Sequence, residues 1–179
     1  MADDQIVRKI AVILVTDVVG FSKLMEKNED ATLKSLRSCR DILDNLFQEH
    51  GGRIFNTAGD SVLAEFQSAV SSVLCATEFQ KLIKQRNASV EESSKMHFRI
   101  GINMGDVIVE GTNLYGDGVN VAARLEALSQ SGGVSLSKSI HDFVSQKVEL
   151  NFADLGNQKV KNTVVHAFDV SIEGIESRV

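Results

Sequence analysis

Two aspartates have the clearest capacity for chemistry in this chain. Asp17 follows a continuous apolar, β-rich run at residues 10–15, and Asp60 sits in the tight turn Ala58-Gly59-Asp60-Ser61. Close, unpaired carboxylates repel and raise each other's pKa, and a divalent cation relieves the conflict. Hard oxygen ligands suit Mg2+ or Mn2+, with phosphate and water completing the coordination shell. Two such ions can clamp the attacking and leaving oxygens of a phosphoryl transfer. Directly after Asp17, the segment Val18-Val19-Gly20-Phe21-Ser22 opens a helix, whose free N–H groups point toward anions and can cradle phosphate.

Whether the two aspartates meet depends on the elements around them. Residues 10–15 read as a strand buried on both faces. A short helix follows Gly20. Glu29 and Asp30 open a longer helix, where the dipole favours acidic residues. Leu33, Leu36, Leu43 and Phe47 form its apolar stripe, and Gly51-Gly52 stops it. Residues 53–57 and 62–66 read as a β-hairpin around the Asp60 turn. Ser68 starts a helix to about residue 86, and the Ser/Glu-rich residues 87–95 read as a mobile surface loop. Residues 97–110 read as a strand region broken by Gly101 and Gly105. Residues 116–118 read as a loop and 119–128 as a helix. A strand at 134–136, a helix from Ser137 and strands near 148–155 and 166–170 complete the order.

This order predicts an α+β fold, a ferredoxin-like βαββαβ core with C-terminal additions. The chain reads as one domain, residues 1–179, with its core at about 8–172. In that topology the first two strands are parallel, with the third antiparallel between them. The carboxyl end of the first strand and the hairpin turn then share one edge, so Asp17 and Asp60 become neighbours.

Composition narrows the partners. Hydrophobic residues at 43% support a sizeable core, while a net charge of -5 argues against nucleic acid. No apolar run approaches the ~20 residues of a membrane-spanning helix. The start, Met1-Ala2-Asp3-Asp4, is unlike a signal peptide. Cys39 and Cys75 lie in expected helices and read as reduced core thiols of a cytoplasmic protein. The four histidines show no ligand spacing.

Four blocks of residues resemble, in order and spacing, the signature blocks of class III adenylyl/guanylyl cyclases. They are Thr16-Asp-Val-Val-Gly-Phe-Ser22, Thr57-Ala-Gly-Asp-Ser61, Phe98-Arg-Ile-Gly-Ile-Asn103, and Tyr115-Gly-Asp-Gly-Val-Asn-Val-Ala-Ala-Arg-Leu-Glu126. The resemblance implies conversion of a nucleoside triphosphate to its 3′,5′-cyclic nucleotide and pyrophosphate, using two divalent cations, Mg2+ or Mn2+. It implies metal ligation by Asp17, Asp60 and the Val18 carbonyl. It assigns a polyphosphate contact to Arg99, beside the cradle expected at the helix start from Val19, Gly20, Phe21 and Ser22. Lys161 would reach the terminal phosphates, with Lys159 as the other register. Asn120 and Arg124 match the transition-state pair, and their i, i+4 spacing puts both on one helical face. The resemblance also implies a homodimer in which the aspartates of one subunit face the Asn/Arg helix of the other.

Base choice departs from the family pattern. Adenylyl cyclases carry a lysine and an aspartate where this chain has Asn56 and Asn113; guanylyl cyclases carry a glutamate and a small Cys-like residue there. An amide both donates and accepts. ATP is favoured because neither guanine-type residue is present. A guanylyl or pyrimidine nucleotide cyclase and an inactive nucleotide-binding regulatory module are the alternatives.

Overall fold

The apolar run forms the middle of β1 (Val7–Val18) in a computed structural model that describes residues 6–179. The acidic start Met1-Ala2-Asp3-Asp4 lies outside the described residues. Ala11, Ile13 and Val15 are buried on one face of the strand and Val12, Leu14 and Val18 on the other. A run that is apolar at every position requires this double burial. Next come α1 (Phe21–Lys27), α2 (Glu29–His50), β2 (Gly52–Ala58), β3 (Ser61–Phe66), α3 (Ala69–Ala88) and β4 (Phe98–Glu110). They are followed by β5 (Asn113–Tyr115), α4 (Asp117–Leu128), β6 (Val134–Ser137), α5 (Lys138–Val144), β7 (Phe152–Val160) and β8 (Thr163–Val170).

Among the described residues the strands make one eight-stranded sheet in the order β2-β3-β1-β4-β6-β8-β7, with β5 pairing to β4 beside that path. Strand β3 is antiparallel to both β1 and β2, so β1 and β2 run parallel with β3 between them. The expected core topology is present, and the expected α+β class with it.

Helices α2 and α3 cover one face. Asn28 caps α2 by accepting the Ala31 N–H at 3.0 Å, and Ser68 caps α3 by accepting the Ser71 N–H at 3.1 Å. Phe47 meets Phe66 edge to face at 5.4 Å, and Phe79 meets Phe98 at 5.1 Å. Each such buried ring contributes about 2 kcal/mol through area removed from water. The other face carries α4, packed through Val119 and Ala122 against Ile13, Val15 and Val107.

Several expectations are corrected. Residues 87–95 are no simple loop: α3 continues to Ala88, and Glu92–Ser94 form a 3-10 turn. Asn87 is buried, donating to the Met96 carbonyl at 2.8 Å and accepting the Met96 N–H at 3.2 Å. Its polarity serves an internal bridge rather than solvent. Residues 116–118 are likewise no loop, because α4 already starts at Asp117 and a missed strand, β5, precedes it. Strands β7 and β8 also run beyond the expected segments and meet at a hairpin turn containing Lys161. Their half-exposed polar positions hid them from an apolar-run search.

Gly101 and Gly105 do not break β4. A Cβ on Gly101 would lie 2.1 Å from the Glu126 nitrogen and 2.5 Å from the Ala122 carbonyl oxygen. A Cβ on Gly118 would lie 2.7 Å from the Asp106 carbonyl oxygen. These glycines let α4 lie backbone-close on β4.

Gly101→Ala is therefore expected to cost about 3 kcal/mol in urea unfolding, because backbone on both sides must move. Gly156 has φ 68° and open space around its missing Cβ. Gly156→Ala should cost only about 1 kcal/mol, the left-handed penalty alone.

Candidate active site

Gly59, at φ 60°, supplies the left-handed residue that the β2–β3 turn needs. The turn aims Asp60 back at the end of β1. Asp17 is the register partner of Arg99, and the Val19 N–H donates to the His97 carbonyl at 2.8 Å. By the alternation of antiparallel pairing, the intervening Val18 turns its N–H and carbonyl toward the hairpin. Its N–H donates to Asp60 Oδ2 at 2.8 Å. The two aspartates, 43 positions apart in sequence, thus meet at one rim, with the Val18 carbonyl on the same side.

Arg99 reaches the rim from β4. Its Nη2 lies 3.3 Å from Asp17 Oδ2 and 3.6 Å from Glu126 Oε2, and its Nη1 donates to the Ala127 carbonyl at 3.4 Å. All three distances exceed the 2.7–2.9 Å of a tight charge-assisted bond. The guanidinium is shared among several acceptors rather than locked on one.

Glu126 is the site residue the sequence reading did not identify. It is 6% exposed, and its Oε2 has no hydrogen-bond partner among the described residues. Burial first, then the adjacent Asp17 and Asp60 carboxylates, push its pKa up to about 8, against the opposing pull of Arg99. A sequence signal existed. Val119, Ala122 and Glu126 stand at i, i+3 and i+7 on the buried face of α4, so a carboxylate occupies a core position.

The phosphate cradle needs one correction. The Val19 N–H is not free, since it closes the pairing of β1 with β4. Gly20, at φ 64°, opens α1, and no side chain caps the helix. The N–H groups of the first turn, at Phe21 and Ser22, therefore keep their donor capacity.

Asn120 and Arg124 do not join this cluster. They lie on the outer side of α4, Asn120 exposed and Arg124 half-buried, while Glu126 faces inward. Arg124 has no carboxylate within 4.0 Å among the described residues. Lys161 is exposed at φ 56° in the β7–β8 turn. Strand β8 runs parallel to β1, so that turn lies at the end of the sheet where β1 begins, opposite Asp17. Asn56 is exposed on β2, its Oδ1 accepting the Thr57 N–H at 2.9 Å. Asn113 accepts the Leu114 N–H and donates to the Tyr115 hydroxyl, each at 2.9 Å. The two asparagines stand on adjoining segments, since Arg53 donates to the Thr112 carbonyl at 2.7 Å and Leu114 packs in the same cluster as Phe55.

Among the described residues no three His, Cys, Asp or Glu side chains converge on a single point suited to a metal. Asp17, Asp60 and the Val18 carbonyl instead form a partial hard-oxygen set beside the buried Glu126 carboxylate, whose Oε2 has no hydrogen bond among the described residues. That set fits a cation that takes its remaining ligands from phosphate and water. No described helix is long and apolar enough to cross a membrane.

The family model for the adenylate and guanylate cyclase catalytic domain matches residues 5–170. A Rhizobium meliloti protein named "Putative adenylate cyclase 3" is 44% identical over 163 residues, which are 90% of this chain and 28% of that relative. The chain thus spans under a third of that relative's length. The crystal structure of an adenylate/guanylate cyclase/hydrolase from Silicibacter pomeroyi matches with TM-score 0.85 at 37% identity, covering 93% of this chain and 98% of that one. The adenylyl cyclase CyaB from P. aeruginosa shares the fold, with TM-score 0.79 at 24% identity over 97% of each chain.

The raised Glu126 pKa predicts a pH signature in the metal-free protein. The folded state holds this proton to about pH 8 and the unfolded chain releases it near the ordinary value of 4.5. Stability contributed by Glu126 therefore falls as pH rises between those values. Glu126→Gln should raise the melting temperature above the native value at pH 8.5. The advantage should vanish near pH 4.5 in a thermal-unfolding series.

Proposed function

The chain belongs to the adenylate and guanylate cyclase catalytic domain family, and from that premise we propose that it cyclises a nucleoside triphosphate, ATP by preference, as a cytoplasmic homodimer. The observation that carries this reading is the juxtaposition of Asp17 and Asp60 through the 2.8 Å bond to the Val18 N–H, with Arg99 alongside. Asp17, Asp60 and the Val18 carbonyl are the groups that would hold two Mg2+ or Mn2+ ions. When bound, those ions supply Lewis-acid activation of the ribose 3′-hydroxyl and neutralise the triphosphate. Arg99 exchanges its loose contact with Asp17 for the phosphates, and the N–H groups at Gly20, Phe21 and Ser22 take phosphate oxygens.

Asn120 and Arg124 come from the second subunit. Their outward position on α4, with no side-chain hydrogen bond or ion pair among the described residues, supports this division. Arg124 meets the charge that develops at the α-phosphorus, where a planar guanidinium fork is well suited. Asn120 orients the ribose. Lys161, at the far end of its own sheet, reaches the terminal phosphates only across the dimer. Asn56 and Asn113 read the base. ATP is preferred because the glutamate and small residue that receive guanine in this family are absent at these positions. No side chain is needed as a dedicated base, since positioning and charge stabilisation dominate phosphoryl transfer.

Asp17→Ala and Asp60→Ala should each lower turnover at least about 100-fold while circular dichroism stays native. A 1:1 mixture of Asp17→Ala with Arg124→Ala, each inactive alone, should regain up to about a quarter of native activity, because half the dimers hold one intact site. No recovery in demonstrated heterodimers would refute the shared site. Incubation with ATP, GTP, CTP and UTP plus Mn2+ or Mg2+, with products resolved by chromatography, should yield cyclic AMP as the main product. A dominant product from another base would overturn the ATP preference.

A further inference from the structure

A cavity of about 600 Å3 opens on the α3 side of β4, outside the acidic rim, between α3, the start of β4 and the chain after β8. Its volume is typical of small-molecule sites. Ile83, Phe98, Leu150, Ile172 and Ile175 line it. The two buried amides in its wall are already satisfied. Gln80 Nε2 donates to the Phe98 and Gly133 carbonyls, each at 2.9 Å, and Asn87 bridges both backbone groups of Met96. A wall whose buried amides are engaged, with Ile83, Phe98 and Ile172 beside them, favours hydrocarbon over a polar guest.

The mouth is cationic. Lys81, Lys84 and Lys95 border it, with the carboxylate of Glu173 in the lining and that of Glu92 beside Lys95. Lys84 donates to the Glu173 carbonyl at 3.3 Å, and Lys95 pairs with Glu92 at 2.8 Å. Lys81 has no partner among the described residues. One uncommitted ammonium above an apolar chamber matches one negative charge on a hydrocarbon tail. Among the described residues the lining holds no arginine to fork a dianionic phosphate, and Lys84 and Lys95 already have acceptors.

We propose that this cavity is a binding site for a medium-chain carboxylate, its tail against Ile83, Phe98 and Ile172 and its head on Lys81. The site shares a wall with the acidic rim. Phe98 is the register partner of Val18, and the His97 carbonyl holds the Val19 N–H at 2.8 Å. An occupant pressing on residues 97 and 98 bears directly on the strand that carries Asp17 and Val18.

The proposal is tested by calorimetric titration of the whole chain with decanoate, without nucleotide or metal. One molecule should bind per chain, with affinity falling about fourfold for each methylene removed down to hexanoate. Lys81→Glu should weaken decanoate binding at least tenfold and leave binding of 1-decanol unchanged. Ala88→Trp, on the exposed last turn of α3 at the mouth, should block both ligands while circular dichroism stays native. If that variant misfolds, the Lys81→Glu comparison decides alone. No saturable binding, equal decanoate affinity in Lys81→Glu, or capture by phosphatidylglycerol vesicles that is the same in native and Ala88→Trp protein would overturn the proposal. Because no cyclase chemistry enters the measurement, such a failure leaves the proposed activity untouched.

Discussion

The bond from the Val18 N–H to the Asp60 carboxylate ties the end of β1 to the β2–β3 turn, and the arrangement of the rim follows from it. A carboxylate accepting a backbone N–H is held more tightly than a neutral acceptor would be. That hold draws a second anionic group beside Asp17 at the very place where the sheet runs out of pairing partners. Keeping two carboxylates at one rim requires a rigid strand beneath them. Burial of β1 on both faces, under α2 and α3 on one side and α4 on the other, provides it.

The charge balance at this rim is deliberately incomplete. Among the described residues Asp17 and Glu126 share the Arg99 guanidinium, at 3.3 and 3.6 Å, while Asp60 is held by the Val18 N–H. Glu126 responds by holding its proton, because a buried carboxylate beside two others is disfavoured in its charged form. An arrangement with excess negative potential and a loosely held arginine suits incoming cations and phosphates. It also explains why Gly101 matters beyond packing. Without a bare backbone on β4, the carboxyl-terminal turn of α4 could not bring Glu126 so close to Arg99.

Among the described residues, Asn120 and Arg124 on α4 and Lys161 at the opposite end of the sheet have no side-chain hydrogen bond or ion pair. Asn120 and Arg124 look outward, and Lys161 sits far from the aspartates. The proposed dimer gives these residues a shared purpose. The apolar cavity behind β4 uses a different set of groups and meets the rim only through backbone pairing at residues 97–98 and 18–19.

Much of this was legible in the residues themselves. The continuous apolar run announced a doubly buried strand, the Gly-Asp turn announced a hairpin, and the element order placed Asp17 and Asp60 on one rim. The acidic Glu29 and Asp30, Ser68 and the stop at Gly51 also marked helix ends, because each acts through local backbone chemistry. Other features depend on partners distant in sequence and had no local signature. Gly101 looked like a strand breaker because its true constraint is a helix that arrives about 20 residues later. Asn87 looked like loop because its partner is the buried backbone of Met96. The Val19 N–H looked free until β4 paired with it. Glu126 is different: its place on the stripe of Val119 and Ala122 marks a buried carboxylate, and only the docking of α4 brings it beside Asp17. Types and spacings of residues thus determined which groups could bear charge and which elements would form. Tertiary packing decided which of those groups lost their water and met each other, and that loss of solvent is what turns a nearby carboxylate into an interaction.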